Sequence, residues 1–573
     1  MKRRDLIINI AILALGALLF IPGIGSYRLF DWDEINFAES AREMLVTGDW
    51  FNVQINFESF WEKPPLFIWM QALSMKAFGV GEFAARFPNA VAGILTLLLL
   101  FNIGRKARDT RFGVIWTMMY GISFLPFFYF KSGIIDPWFN LFIFLAFYFF
   151  SRYTDPEAAS RRARHAALSA AAMGLAIMTK GPVAFLIFAL TFLVWLASRR
   201  FRMDFRWKDV GIYLTVLAIV GGSWFIALAA SGRAEVIKDF IDYQIRLFQT
   251  KDAGHGGFLL YHFVILLVGA APASVFAIPA LFGKGFPGRD GSQPSEAAAS
   301  LFRWMLASFW VVLILFTIVR TKIVHYSSFC YFPLSFLAAC SINGIMEGKL
   351  RFRRYQRVLL IGISVFFGAL LAFLTFFDRI KDVIAPYVND PFAISCMEAS
   401  SDWSGFEPAA GLLLVILTAV FCVLFRRRPS TAGFIPLAAG NLVFMMTVVL
   451  CGVSQVEKYS QASAIDFYIA HSGEDCYVKP AYFKSYAHYF YTGRKPSCTC
   501  DDMERLGKGQ LDKPCYFVVK DDPKHIERLA SDVPGARFLY KRSGFVFFVR
   551  ERQEEQADEC QQKGQHGGVE QDG

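Results

Sequence analysis

The chain has 573 residues, of which 55% are hydrophobic and 19% charged, with 61 phenylalanines and a formal net charge of +11. That is too little charge to cover the surface of a soluble protein of this size. The basic excess lies in short runs between apolar blocks rather than in one stripe, which argues against nucleic-acid binding and fits the positive-inside rule of membrane proteins.

Apolar blocks of about 17–22 residues, the length that crosses a bilayer, recur along the chain. The first follows Met-Lys-Arg-Arg-Asp and lacks a small-x-small cleavage site, so it reads as a retained transmembrane helix. About thirteen spans are expected. They lie near 6–25, 86–104, 112–130, 133–151, 166–180, 182–198, 211–230, 258–283, 302–320, 326–345, 358–377, 408–425 and 432–453. Alternate connections are basic: Arg105, Lys106, Arg108 and Arg111; Arg161, Arg162 and Arg164; Arg199, Arg200, Arg202, Arg206 and Lys208; Lys349, Arg351, Arg353, Arg354 and Arg357; and Arg426 to Arg428. All fall on the side of Lys2, Arg3 and Arg4, which the rule makes cytoplasmic.

Three outer connections are long, 26–85, 231–257 and 378–407. In the first, EINFAESAREML repeats apolar residues at Ile35, Ala38, Ala41, Met44 and Leu45, with Glu39, Arg42 and Glu43 opposite, the pattern of a helix lying in the membrane interface. PPLFIWMQALSMKAFG is a second apolar segment, too short to span. The fold class expected is an α-helical polytopic membrane protein with a membrane domain over 1–453. A small extracytoplasmic α/β domain follows over 454–551, read from strand-like CYVKP, CYFVVK and FVFFVR and helix-like segments around Ala464 and Ile526, then a polar, disordered tail over 552–573. Cys330, Cys340, Cys422 and Cys451 fall in spans, whereas Cys396, Cys476, Cys498, Cys500, Cys515 and Cys560 fall outside, where disulfides form. Cys498 and Cys500, set two apart on an extended strand, are expected to pair elsewhere, with Cys476 and Cys515 as partners.

No phosphate-binding loop, dinucleotide fingerprint, HExxH or nucleophile elbow occurs in a fitting context. Charged residues instead collect at outer ends of spans. Asp33 and Glu34 open the first-loop helix, where an acid also suits a cap. Glu62 and Lys63 precede Pro64-Pro65, and Asp136 precedes Pro137 between two spans, a helix start or a functional acid. Lys180 is followed by Gly-Pro, a helix end. Arg320, Lys322, His325 and Tyr326 form a basic cluster that interfacial anchoring would also explain. Asp252 and His255, in the Gly-rich KDAGHGG, are weak metal candidates. The positive-inside rule predicts few outer cations, yet Lys63, Lys180, Arg320 and Lys322 gather there beside acids, as a lipid-phosphate leaving group requires.

DEINFAESAREMLVTGDWF, then FWEKPPLFIWMQALSMKAFGVGEFAARFPNAV, then IIDPWF resemble the N-terminal signature of the membrane glycosyltransferases that include protein O-mannosyltransferases, closest to the lipid A aminoarabinose transferase branch. TKIVHYSSFCYFPL resembles a later segment of that family, with His325 a departure from it. The resemblance implies the GT-C fold and inverting transfer from a polyprenyl-phosphate-linked sugar donor to an extracytoplasmic lipid or protein acceptor, in a bacterial inner membrane. It implies that Asp33, Glu34 and Asp136 match the family acids and that Lys63, Lys322 and Tyr326 lie near the donor. Asp33 would serve as general base toward a hydroxyl acceptor, or orient the sugar or bind a divalent cation if the acceptor is a phosphate. A lipid-linked-sugar flippase shares this composition, but transporters place charges near the midplane and show internal repeats. The topology is testable. Reporter fusions at Arg162, Arg202, Arg354 and Arg427 should read cytoplasmic, and fusions near Thr250 and Lys520 external; a cytoplasmic Lys520 would reverse the C-terminal segment.

Overall fold

A computed structural model describes residues 3–31, 33–155, 160–203, 206–249, 257–285 and 296–552. In chain order, α1 (Arg3–Phe20) leads to α2 (Asp33–Thr47), a hairpin of β1 (Gln54–Ile55) and β2 (Glu58–Ser59), and α3 (Leu66–Phe78). Next come α4 (Glu82–Ala107), α5 (Thr110–Gly121), α6 (Phe124–Tyr129), α7 (Asp136–Tyr153), α8 (Arg162–Lys180), α9 (Val183–Ser198), α10 (Trp207–Ala230) and α11 (Ala234–Gln249). They are followed by α12 (Tyr261–Gly269), α13 (Ala273–Leu281) and α14 (Glu296–Ile318), then a 3-10 turn, Val324–Cys330, that runs into α15 (Tyr331–Met346). After α16 (Arg354–Thr375) come α17 (Phe377–Ile384), α18 (Pro391–Cys396), α19 (Pro408–Arg427), α20 (Ile435–Thr447) and α21 (Val453–Glu457). The remainder holds α22 (Ala462–Ala470), β3 (Tyr477–Ala481), α23 (Ala487–Thr492), α24 (Met503–Lys508), β4 (Cys515–Lys520), α25 (Pro523–Asp532), β5 (Arg537–Arg542) and β6 (Phe545–Arg550). The expected tail beyond 552 lies outside the described residues.

The chain divides into two compact units, one of residues 1–377 with 402–456 and one of residues 378–401 with the segment from Glu457 onward. In the first unit, seven helical stretches among the described residues are long and apolar enough to cross a membrane, among them Glu82–Ala107, Trp207–Ala230 and Pro408–Arg427. The protein is a multi-pass membrane protein. Two of the expected spans are interrupted. The block 112–130 is split into α5 and α6, because Pro126 lacks the N–H that would bond the carbonyl of residue 122. The block 258–283 is split into α12 and α13 at Ala271–Pro272 for the same reason. Three helix pairs cross on facing glycines: Gly104 with Gly113, Gly174 with Gly221, and Gly368 with Gly411. An added Cβ on Gly411 would stand 2.8 Å from Gly368 Cα. Such crossings bring backbones together where lipid supplies no hydrophobic drive.

At one end of this unit Glu347 accepts from Arg108, from Arg111 at 3.3 Å and from Asn343 at 3.0 Å, with Lys349 at 3.2 Å. Arg105 pairs with Asp5 at 3.1 Å. Basic residues from the connections after α4 and α15 thus share one acid.

The second unit contains a mixed four-stranded sheet in the order β3-β4-β6-β5, with β3 parallel to β4 and the other pairs antiparallel. The strand-like segments of the sequence are β3, β4 and β6. β5, whose RFLYKR is largely exposed, carries no such signal. Residues 378–401 belong with this unit. The Asp378 carboxylate accepts from Tyr459 Oη at 2.6 Å and from Ser401 N at 2.9 Å, and Lys541 reaches Glu398 at 3.2 Å. The expectation of an extended strand at Cys498–Cys500 fails, because Pro496 starts a 3-10 turn, Pro496–Cys498, with Thr499 also in a helical conformation.

The charged side of α2 does not face water. Its periodicity is helical, but Glu39, Arg42 and Glu43 are as buried as the apolar side. They are satisfied internally. Arg42 donates to both oxygens of Glu39 at 2.6 and 2.7 Å, and Glu43 accepts from Asn56 N at 2.7 Å and Phe57 N at 2.8 Å. Those N–H groups belong to the two turn residues of the β1–β2 hairpin, both at φ 60°, a conformation rare outside glycine and here held by one carboxyl. Burial, and then the neighbouring Glu39 carboxylate, push the Glu43 carboxyl up to about 8. Below the ordinary value of 4.5 both folded and unfolded forms are protonated. Between there and about 8 only the unfolded form ionises, so stability falls as pH rises. Thermal unfolding in detergent should therefore show a decline in Tm from pH 5 to 8 that Glu43→Gln flattens; an unchanged slope in that variant would assign the decline elsewhere.

Candidate active site

The site is built on the first turn of α2, the first turn of α7, the last turn of α8 and the 3-10 turn before α15. Glu34, the second residue of α2, is buried and receives Arg86 Nε at 3.0 Å and Nη2 at 2.8 Å. It also accepts from Phe30 N at 2.9 Å and from Gly133 N. Arg86, fully buried in α4, donates further to the carbonyls of Ile24, Tyr27 and Arg28, each at 2.8 Å, and lies 3.9 Å over the Tyr27 ring. Asn89 holds the carbonyls of Ser132 and Ile134 at 2.6 and 2.7 Å. The segment leading into Asp136 is therefore fixed from α2 and α4 together. Glu34, expected among the reacting acids, has its oxygens committed to this scaffold.

Asp33, its neighbour, differs. Its side chain is 44% exposed, and His325 Nε2 stands 3.6 Å from Oδ2. Asp136 is only 2% exposed and takes Lys180 Nζ at 2.6 Å, with Ser328 Oγ 3.4 Å away. Ser328 also donates to the His325 carbonyl at 2.6 Å and receives Asn140 Nδ2 at 2.9 Å. The Lys180 ammonium lies 5.5 Å from the Phe139 ring and 5.8 Å from the Tyr326 ring. The charges of Asp136, Lys180, Asp33 and Lys63 all act on the His325 ring. Four of the expected residues, from four parts of the chain, thus act on the imidazole of a fifth, His325, with Tyr326 beside them.

Glu62 and Lys63 lie at the margin. Tyr243 Oη of α11 donates to Glu62 at 3.3 Å, the Lys63 ammonium stands 4.0 Å from the same carboxylate, and it lies 5.3 Å over the Tyr243 ring. Lys322, expected near the donor, is bonded to backbone. Its Nζ donates to the carbonyls of Phe316, Thr317 and Val319 at 2.9, 2.6 and 2.6 Å, which closes the C-terminus of α14 and occupies all three of its hydrogens. Arg320 is exposed. Asp252 and His255 lie outside the described residues, and no group of three metal-ligating side chains gathers among those described. The cysteines Cys476, Cys498, Cys500 and Cys515 all fall in the second unit.

Sequence reading missed Ser328, Asn140, Tyr243 and Tyr129. The Tyr129 phenol is buried within reach of the Asp136 and Asp33 charges and is bonded to Tyr331. A buried acid next to an ammonium, with a second, half-exposed acid close by, can polarise a bound hydroxyl or hold a cationic reacting centre, while the cations receive an anionic leaving group.

Removing one partner of a buried pair leaves an uncompensated charge, at a cost of about 3–5 kcal/mol. Arg86→Ala and Glu34→Ala should each abolish monodisperse protein on size-exclusion chromatography, whereas Asp33→Ala should not. A well-behaved Arg86→Ala would show that the pair is dispensable.

Residues 62–224 match the family described as dolichyl-phosphate-mannose-protein mannosyltransferase. The undecaprenyl phosphate-alpha-4-amino-4-deoxy-L-arabinose arabinosyl transferase of Edwardsiella ictaluri is 30% identical over 327 residues, 56% of this chain and 57% of that protein. The enzyme of the same name from Pectobacterium carotovorum is 28% identical over 445 residues, 76% of this chain and 74% of that one. The chain thus spans little more than half of the Edwardsiella relative. The fold is that of ArnT from Cupriavidus metallidurans, solved with undecaprenyl phosphate, with a TM-score of 0.74, 19% identity, and 94% and 97% of the two chains covered. In sequence the chain is thus similar to the undecaprenyl phosphate-aminoarabinose arabinosyl transferases, and in fold to ArnT.

Proposed function

We propose that this protein transfers an aminoarabinose-like sugar from an undecaprenyl-phosphate-type donor to lipid A on the outer side of a bacterial inner membrane, with inversion at the anomeric carbon. The meeting of Asp33, Asp136, Lys180 and Lys63 around His325 carries this reading. The names of the arabinosyl transferases of Edwardsiella and Pectobacterium support it. The topology that goes with it has about thirteen spans, the acids at outer helix ends, and the second unit outside. The shared Glu347 hub, which joins Arg108, Arg111 and Lys349 away from the acids, is in keeping with a cytoplasmic end.

In the reaction the acceptor oxygen bonds to the anomeric carbon from the face opposite the lipid phosphate. The bond from that carbon to the phosphate oxygen breaks, and its electron pair leaves with the phosphate. Lys63, at the open margin of the site, suits the departing phosphate better than Lys322, whose hydrogens are spent on α14. Lys180 orients Asp136. A phosphate acceptor on lipid A arrives as an anion and needs no base; Asp33 then orients the sugar. A hydroxyl acceptor needs its proton taken, and Asp33 has the exposure for it. The match of residues 62–224 to protein mannosyltransferases favours a second reading, transfer to protein hydroxyls.

Asp33→Asn and Asp136→Asn test the assignment. Asn keeps a cap's hydrogen bond but neither the charge nor the proton affinity. Asp33→Asn should express and remain monodisperse like wild type, whereas Asp136→Asn leaves the Lys180 ammonium uncompensated and should lower thermal stability; with matched amounts of monodisperse protein, both should lose transfer by about 100-fold or more. The assay follows the mass of lipid A and of acceptor peptides incubated with polyprenyl-phosphate-linked aminoarabinose. Near-normal transfer by Asp33→Asn would reduce that residue to a helix cap, and sugar on peptide alone would select the second reading.

A further inference from the structure

Four cysteines of the second unit gather at one end of its sheet. Cys476 immediately precedes β3, and Cys515 opens β4 with its Cα opposite Tyr477. Cys498 ends the Pro496–Cys498 turn and, with Cys500 and Cys515, packs into the apolar cluster formed by Leu506, Leu511 and Phe517. Cys476 and Cys498 line one small cavity together with His488 and Arg494. The four are free thiols in the structure. We propose that they are an oxidation site that closes two disulfides, Cys476–Cys498 and Cys500–Cys515.

The connectivity follows from geometry. Successive side chains along a strand point to opposite faces. Tyr477, not Cys476, shares a face with its register partner Cys515, which disfavours a bridge between Cys476 and Cys515. A bridge between Cys498 and Cys500 would close a strained ring across the single residue Thr499. Two arrangements remain. Cys476 and Cys498 share the cavity, which neither Cys500 nor Cys515 lines, and Cys500 packs against the apolar cluster that contains Cys515. The Lys513 ammonium, 2.7 Å from Asp475, stands 3.7 Å from Cys498 Sγ and offers a counter-charge to an attacking thiolate. Each bridge removes two protons and two electrons from a thiol pair. Thiol–disulfide exchange passes those electrons to the disulfide of an oxidoreductase, which is reduced to two thiols.

The inference rests on the outward placement of this unit, since a reducing cytosol would keep the thiols free. The test uses full-length protein, alkylated with N-ethylmaleimide at lysis, digested without reduction and mapped by mass spectrometry, with fragmentation at Thr499 to separate the two neighbouring cysteines. Linked peptides should join Cys476 to Cys498 and Cys500 to Cys515. Cys476→Ser should free Cys498 alone for alkylation, and Cys515→Ser should free Cys500 alone. A bridge between Cys476 and Cys515, or between Cys498 and Cys515, overturns the proposal. So do four alkylated thiols while a Lys520 reporter reads external. Four alkylated thiols with Lys520 cytoplasmic overturn the outward placement itself, and the bridges with it.

Discussion

A guanidinium with no exposed surface, Arg86, sets the terms for one end of the membrane unit. Burying it is tolerable because a carboxylate and three carbonyls receive it in full. Those partners come from different stretches, so one ion pair draws the connection after α1, the start of α2, and α4 to a common point. Glu34 extends the tie to Gly133, three residues before Asp136. The separation of Asp33 from Asp136 is thus fixed by groups with no free valence for chemistry. This is what a preorganised site needs, since side chains that must reorient during reaction lose part of their electrostatic benefit.

The polar groups obey the economy of a low-dielectric solvent. Acids and bases meet at helix ends, around Glu347 on one side and around His325 on the other, and between them helices touch through glycine and aromatic rings. At the His325 end the pairing is incomplete: Asp136 is neutralised by Lys180, while Asp33 keeps almost half its side-chain surface open. Two acids of similar sequence setting therefore face a ligand in different states of satisfaction, the condition under which carboxylates divide labour.

Most of the helical order, and the candidate residues other than the supporting polar ones, could be read from the chain, because apolar periodicity and the position of an ionisable residue between spans are local signals. What escaped depended on contacts between distant segments. Asp33 and Glu34 are adjacent acids at one helix start, and nothing local tells which of them Arg86 takes. The ring of charges on α2 looked like a face for water, since its partners are a hairpin 13 and 14 residues onward. The bonds of Lys322 to the carbonyls at the end of α14 leave no mark in the local sequence. Pro126 and Pro272 did announce the two helix breaks, but within long apolar runs their signal was outweighed by hydropathy.

The second unit is assembled from two stretches of chain that the membrane unit interrupts. Asp378, near the start of the first stretch, is satisfied by Tyr459 of the second, and Glu398 by Lys541. The C-terminal part is therefore not a detachable appendage. A gene ending at codon 456 would leave an orphaned insert of some two dozen residues with polar groups prepared for a missing half. A transplanted segment beginning at 457 would lack part of its own wall. Recombination among relatives can exchange this unit only by changing both stretches together, so its sequence is bound to evolve in step with a loop more than fifty residues upstream.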